Sequence, residues 1–293
     1  MATLIAGCAG HDDSEVTAST TAGYDETAVT TARSSVATTT AWSSVTTVEP
    51  LGAVFVSLGH CAVQTGLTCT GGYWVSEING TLPAHLVSTF DVSQLPGGAI
   101  EQANGGGDAL IFRGRFGPVD DRRGATFIAS EAWRGLPDVE SPATDPVVAI
   151  QTVDGALVAH PLNESSETVL GTLSVSGFAP PLVETTWLTS RVLAGGALVA
   201  GEVHGTTLEA SQVFVRLPDR VGPCSDVLPH CEGDEVPTFE RDQDLCLVST
   251  GCVVPRACPM YRPECAPGYV LAAWPSQPGG CLSFACDAAF LTP

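Results

Sequence analysis

From residue 51 onward, short β-branched and aromatic runs alternate with Gly, Pro, Asn and Asp. Runs of this length between turn residues predict strands. The first stretch holds them near Gly52–Leu58, Gly72–Ile78, His85–Val92, Ala109–Phe116 and Ala125–Arg134. The fourth run alternates with a period of two. Leu110, Phe112, Gly114 and Phe116 take one face; Ile111, Arg113 and Arg115 take the other.

The pattern then starts again. Asn79-Gly80-Thr81 and the run Leu86–Ser93 match Asn163-Glu164-Ser165 and Val169–Ser176. Ala109–Ile111 matches Ala197–Val199, and Ala129–Trp133 matches Ala210–Phe214. Both copies end in Leu-Pro, at Leu136-Pro137 and Leu217-Pro218. The offsets are 84, 83, 88 and 81, so order is kept with small insertions. Two copies of one unit follow, residues 51–137 and 147–217, joined by the Pro/Asp-rich stretch Pro137–Pro146. In each copy three strands precede a break and two follow it. In copy two the break opens with Pro180-Pro181 and closes with Gly195-Gly196, the asymmetry of a short helix. In copy one, Leu95 to Gly107 is shorter and Gly-rich. The fold class is therefore all-β. Each repeat is either an OB-like barrel of three strands, a helix and two strands, or half of a sandwich. The repeat-matched sequons at Asn79 and Asn163 fit duplicated turn chemistry better than glycosylation.

The cysteines change the picture after residue 222. Cys224, Cys231, Cys246, Cys252, Cys258, Cys265, Cys281 and Cys286 crowd into residues 222–293, with gaps of 6, 14, 5, 5, 6, 15 and 4. No Cys-x2-Cys pair occurs, which disfavours zinc ribbons. A small segment with few large apolar residues needs covalent staples, so four disulfides are expected. Gly268–Trp274 and Cys281–Cys286 form a hairpin pattern around Pro275–Gly280, which pairs Cys265 with Cys286. Cys61 and Cys69 are expected to close the loop between the first two strands.

Ile5-Ala6-Gly7-Cys8 has the form of a lipobox, with Cys8 as the lipidated residue and residues 1–8 as the end of a signal segment. Without Cys8, the 11 cysteines fall to an even ten, as an oxidising compartment requires. Residues 9–50 hold 11 Thr, 6 Ser and few large apolar side chains. Such a segment buries too little to order itself and is expected to act as a tether. The expected location is extracytoplasmic, anchored to the outer membrane or cell surface by lipid alone.

The chain carries 32 acidic and 12 basic residues, a net charge of −20, and every basic residue is Arg. Phosphate would be repelled, so a general nucleic-acid role is excluded. No run approaches the ~18 apolar residues of a membrane-spanning helix. The chain has no Gly-x-Ser-x-Gly elbow, no His-Glu-x-x-His helix and no Walker loop, and nothing in it calls for a cofactor. His60 adjoins Cys61, but a catalytic thiolate needs a free cysteine, and Cys69 is an evident partner.

Three groups of residues carry candidate chemistry. Arg113, Arg115, Arg122, Arg123 and Arg134 gather in one hairpin, as a patch for an acidic envelope glycan or headgroup or as a solvated pair balanced by Asp120, Asp121 and Glu131. Asp234, Asp242 and Asp244 lie in an acidic run that suits calcium or plain solvation. Arg256, between Cys252 and Cys258, and Met260 or Arg262 in the next loop could sit in the specificity pocket of a protease.

Two resemblances follow from these residues. Cys258-Pro259-x5-Cys265-Ala266-Pro267-Gly268-Tyr269 with Gly279-Gly280-Cys281-x4-Cys286 resembles the tails of small secreted modules of antistasin and trypsin-inhibitor-like type. Cys69–Val75, Arg113-Gly114-Arg115 and Ser130–Arg134 resemble an uncharacterised domain of predicted bacterial lipoproteins. The second implies location and architecture and brings no activity. The expectation is a surface-anchored, non-enzymatic protein that binds a protein or glycan ligand or serves a structural role. A protease inhibitor acting through the loop around Arg256 is the first alternative. A hydrolase using carboxylates assembled by folding is the second.

Overall fold

The alternating runs of the first copy become strands close to their expected bounds: β1 (Val54–His60), β2 (Tyr73–Glu77), β3 (His85–Val87), β4 (Thr89–Asp91), β5 (Leu110–Phe116) and β6 (Thr126–Gly135). A single-turn helix, α1 (Ala99–Ala103), fills the break. The computed structural model describes residues 53–60, 72–81, 83–103, 109–117, 125–137, 145–218, 224 and 228–291. Cys8, the 9–50 segment, Cys61, Cys69, Arg122 and Arg123 lie outside them.

Antiparallel ladders join β1 to β2 and β5, β2 to β3, and β5 to β6. β4 pairs parallel with β6. β3 and β4 are halves of one strand broken at Ser88, whose N–H donates to the Ala125 carbonyl at 2.9 Å. The third strand thus faces β2 before the break and β6 after it. The order, first-second-third-fifth-fourth and back to the first, is OB-like and favours that reading over sandwich halves. The break at Ser88 leaves the ring partly open, so neither copy is a closed barrel.

The second copy repeats this as β7 (Val147–Val153), β8 (Ala156–Pro161), β9 (Thr168–Leu170), β10 (Thr172–Ser174), α2 (Thr185–Leu193), β11 (Ala197–His204) and β12 (Thr207–Leu217). Its third strand breaks at Gly171, and β10 pairs parallel with β12. Asp154 (φ 51°) and Gly155 (φ 81°) turn β7 into β8, the left-handed pair that a two-residue hairpin demands. α2 buries Trp187, Leu188 and Val192 against the second barrel's strands.

The two barrels fuse through their fifth strands. β6 and β12 pair antiparallel: Gly135 faces Phe214, Arg134 faces Val215 and Trp133 faces Arg216. Trp133 and Phe214 are repeat mates, as are Arg134 and Val215. The pair Arg134–Val215 therefore lies on a local two-fold axis relating the copies. The apolar cluster at this junction is built from mates: Ile111 with Leu198, Trp133 with Phe214, Ile78 with Leu162, and Phe55 with Val147.

The ladders correct one alignment. Ser57 faces Ile111 while Ala149 faces Leu198, and Ile111 faces Trp133 while Leu198 faces Phe214. Ile111, not Leu110, is therefore the mate of Leu198, an offset of 87 rather than 88. In a strand one residue moves a side chain to the other face, and Ile111 belongs to the junction while Leu110 packs in the first barrel. The expected alternation along β5 holds: Phe112 and Phe116 join Leu110 in that barrel core.

Each fifth strand carries a bulge at the same place. Ser130 is the extra residue of β6 and Ser211 that of β12. Each hydroxyl donates across the ladder, Ser130 to the Arg113 carbonyl and Ser211 to the Ala200 carbonyl, both at 3.2 Å. The facing residues are Gly114 and Gly201, where a Cβ would strike the backbone carbonyl of Ile128 or of Glu209. Past the bulge the faces exchange. Past it, Ala132, and Val213 with Val215, stay in their own cores, while the alternate residues Trp133 and Phe214 turn to the junction.

Two asparagines close the junction reciprocally. Asn79 donates from Nδ2 to the carbonyls of Val147 (2.7 Å) and Leu162 (3.2 Å), and its Oδ1 accepts from Val147 N–H at 2.9 Å. Asn163 donates to the carbonyls of Phe55 (2.7 Å) and Ile78 (2.9 Å) and accepts from Phe55 N–H at 2.8 Å. Both adopt left-handed turns, φ 57° and 62°, a conformation Asn tolerates. Each amide nitrogen spends both hydrogens on the other barrel, so neither sequon offers a free amide to a glycan.

Candidate functional site

The C-terminal segment folds as two hairpins: β13 (Val236–Arg241) with β14 (Leu247–Val253), and β15 (Tyr269–Ser276) with β16 (Cys281–Ala288). Four disulfides staple them, Cys224–Cys246, Cys231–Cys252, Cys258–Cys281 and Cys265–Cys286. The expected Cys265–Cys286 pair forms, and the hairpin turns at Gln277–Gly280.

This connectivity exposes a second duplication. Each half contributes four cysteines paired first to third and second to fourth. The turns match as well. Glu235 N–H donates to Glu232 O and Tyr269 N–H to Ala266 O, both at 3.1 Å. Leu245 (φ 58°) stands where the other half has Gly280 (φ 72°). The signal lay in the spacings, 6, 14 and 5 against 6, 15 and 4, at offsets of 34 to 35. Few other side chains are shared, so the pattern shows only when the cysteine gaps are split in the middle.

The second half seats on the second barrel. Cys286 N–H donates to the Leu182 carbonyl at 2.9 Å, and the Tyr269 hydroxyl to the Pro137 carbonyl at 2.9 Å. Tyr269, Ala288 and Leu291 join Leu136, Trp187 and Leu188 in one core cluster. The first half is tied in by Arg241, whose side chain is 6% exposed. Its guanidinium grips Asp287 with two bonds of 2.8 Å, reaches Glu184 at 3.4 Å and lies 5.2 Å from the Trp274 ring centre. One cation thus joins β13, β16 and the start of α2. Among the described residues, the buried Trp187 indole nitrogen beside this seam has no hydrogen-bond partner.

Burial pushes the Glu184 carboxyl up from its usual range; Arg241 opposes the rise and Asp287 adds to it. A raised acid favours the folded state while protonated. Its cost is therefore absent below the ordinary pKa of 4.5 and sets in as pH rises through the folded value. Glu184→Gln is expected to melt higher than the wild-type chain near pH 7 and to lose that advantage below about pH 4. Melting curves across pH check the crossing; a difference independent of pH would contradict it.

Between the two halves runs an exposed stretch. Residues 254–262 are all exposed and belong to no strand or helix. Val254 is 66% exposed, Tyr261 68% and Met260 105%. Pro255, Pro259 and Pro263 stiffen the stretch. Cys258 and Cys265 anchor its second loop. Arg256 is held by its N–H to the Gly279 carbonyl at 3.1 Å, and its aliphatic stem lies against Gly279. Met260 and Arg262 sit in the outer loop, free of such contacts among the described residues.

Among the described residues of the arginine group, Arg113 and Arg134 take opposite faces; Arg122 and Arg123 lie outside the described residues. Arg113 pairs with Glu131 at 2.9 Å, and Glu131 also holds Arg216 at 2.7 Å. Arg134 takes the other face, donating to the Gln102 carbonyl at 2.6 Å and covering the Phe290 ring at 4.4 Å; burial lowers its pKa. Arg115 is exposed. Two of the three aspartates are engaged within the fold. Asp242 Oδ1 accepts from the N–H groups of Asp244 and Cys246, and Asp244 pairs with Arg191 at 2.9 Å. Among the described residues no three metal-ligating side chains group together, and Asp234 lies apart in a turn.

No family model matches the chain, and no solved structure matches it. An uncharacterised protein of Dictyostelium discoideum is 31% identical over 146 residues, 46% of this chain and 49% of that protein. The chain thus spans about half the length of this relative.

Proposed function

We propose that the protein is an extracytoplasmic, non-catalytic binding protein. Its fused barrels are a rigid base, and its disulfide-rich module displays a stiff apolar loop to a protein partner. The observation that carries this reading is Met260, fully exposed beside Tyr261 in a loop bounded by Cys258 and Cys265. The exposed apolar surface of a methionine and a tyrosine carries a hydration cost that contact with a partner removes. Disulfides and prolines have already removed the loop's conformational freedom, so less is lost on binding. Four disulfides accord with an oxidising compartment, and lipidation at Cys8 with a 9–50 tether places the module off a membrane surface.

The test is a photo-crosslinking residue at position 260 in cells that express the full chain. A discrete higher-mass adduct is expected at 260 and none at Val169, another exposed apolar side chain, 65% exposed on β9. Equal labelling at both positions, or none at either, would sink the reading. Inhibition of an endopeptidase is the second reading. Met260 favours it, because its side chain stands free to enter a pocket while the Arg256 stem is laid along Gly279. Stoichiometric slowing of a protease that accepts Met, lost in Met260→Asp, would distinguish it from simple display.

A further inference from the structure

The disulfides divide the module into two closed circuits. Cys224–Cys246 and Cys231–Cys252 end before residue 253; Cys258–Cys281 and Cys265–Cys286 begin after 257. Among the described residues no disulfide spans the stretch between them. Val254–Ala257 is therefore a single-strand link, exposed along its length and outside any strand or helix. It carries an arginine in a form an enzyme can reach. An endopeptidase needs several residues in extended form, which a strand or helix refuses without local unfolding.

The other described arginines are poorer targets. Arg241 and Arg191 have side chains 6% and 18% exposed, both ion-paired. Arg113, Arg115, Arg134 and Arg216 lie inside β5, β6 and β12. Arg262 is followed by Pro263, a tertiary amide whose ring crowds the leaving nitrogen. Among the described residues, the Arg256 N–H bond to Gly279, the packing of its stem and the 3.3 Å approach of Cys258 Sγ to its carbonyl oxygen are what must be released for the link to enter a cleft.

We propose that the Arg256–Ala257 bond is a processing site for an arginine-directed endopeptidase, giving a two-chain protein in which the first chain ends at Arg256 and the second begins at Ala257. The amide C–N bond breaks and one water is consumed. Its oxygen completes the Arg256 carboxylate, and its protons go to the new Ala257 amine. The second chain stays seated without a covalent link. Arg241 on the first chain holds Asp287 on the second through two 2.8 Å bonds, and Cys286 and Tyr269 keep their bonds to Leu182 and Pro137. Cutting depends on access to the 254–257 link and not on a partner at Met260, so it stands or falls separately from display of Met260.

The experiment is limited trypsin digestion of the full chain with its disulfides intact, followed by N-terminal analysis and intact mass. A new end at Ala257 is expected to appear at least roughly tenfold faster than ends at Val192, Leu217 or Asp242. Arg256→Gln should abolish that end and leave any other cuts unchanged. The two chains should co-elute on native gel filtration and separate under denaturing conditions without reductant. Digestion elsewhere that never yields an Ala257 end would overturn the proposal. So would two chains that remain covalently joined in denaturant before reduction.

Discussion

Replacing Arg241 with alanine is expected to lower the stability of the fold by about 3–5 kcal/mol, the usual cost of leaving a buried partner charge unpaired. Asp287, whose side chain is 11% exposed, would lose its only bidentate partner among the described residues. Glu184, already disfavoured by burial, would lose the cation that offsets Asp287. The effect should be recovered in large part by Arg241→Met combined with Asp287→Leu, because apolar residues of similar size leave no charge behind. Urea unfolding with an unchanged slope measures both. A loss under about 1 kcal/mol for Arg241→Ala would mean that solvent screens the seam.

Asn79→Ala is expected to cost about 2–4 kcal/mol, since it strips partners from half-buried backbone groups of Val147 and Leu162. Asn163→Ala should cost less, about 1–2 kcal/mol, because that asparagine is exposed and water replaces part of what it gave. Amide exchange separates the two. Val147 should lose protection in the first variant and Phe55 in the second, each leaving the other's amide protected. If both amides respond to either change, the junction opens as a unit and the two clasps are not independent.

Much of this architecture was legible before any coordinates. Short β-branched and aromatic runs located the strands of the first copy, and flanking Pro and Gly located α2. Repeat-matched blocks announced the duplication. What escaped has physical reasons. The bulges at Ser130 and Ser211 insert a residue that no composition signal marks, and the like strings Ala109-Leu110-Ile111 and Ala197-Leu198-Val199 set the fourth strands one position out of their true register. The reach of Asn79 and Asn163 spans 68 to 108 residues, a distance no local pattern carries; only the turn that frees each amide is local. The arginines of β5 and β6 looked like one patch because sequence neighbours were counted without their faces. Glu131 and Trp133 share the face of Arg113, and alternation alone turns Arg134 to the other face, toward Gln102 and Phe290. Among the site residues, Met260 was named beside Arg256 and Arg262, but which of them stands free depends on Gly279, carried in by the second hairpin.

The two-circuit module underlies the seam, the displayed loop and the cleavable link alike. Its most direct test is a disulfide map of the unreduced protein, by peptide mass after digestion at a pH that suppresses exchange. The map should contain Cys224–Cys246, Cys231–Cys252, Cys258–Cys281 and Cys265–Cys286. Any bond joining a cysteine of residues 224–252 to one of residues 258–286 would contradict two independently stapled halves, and with them the account of the loop between.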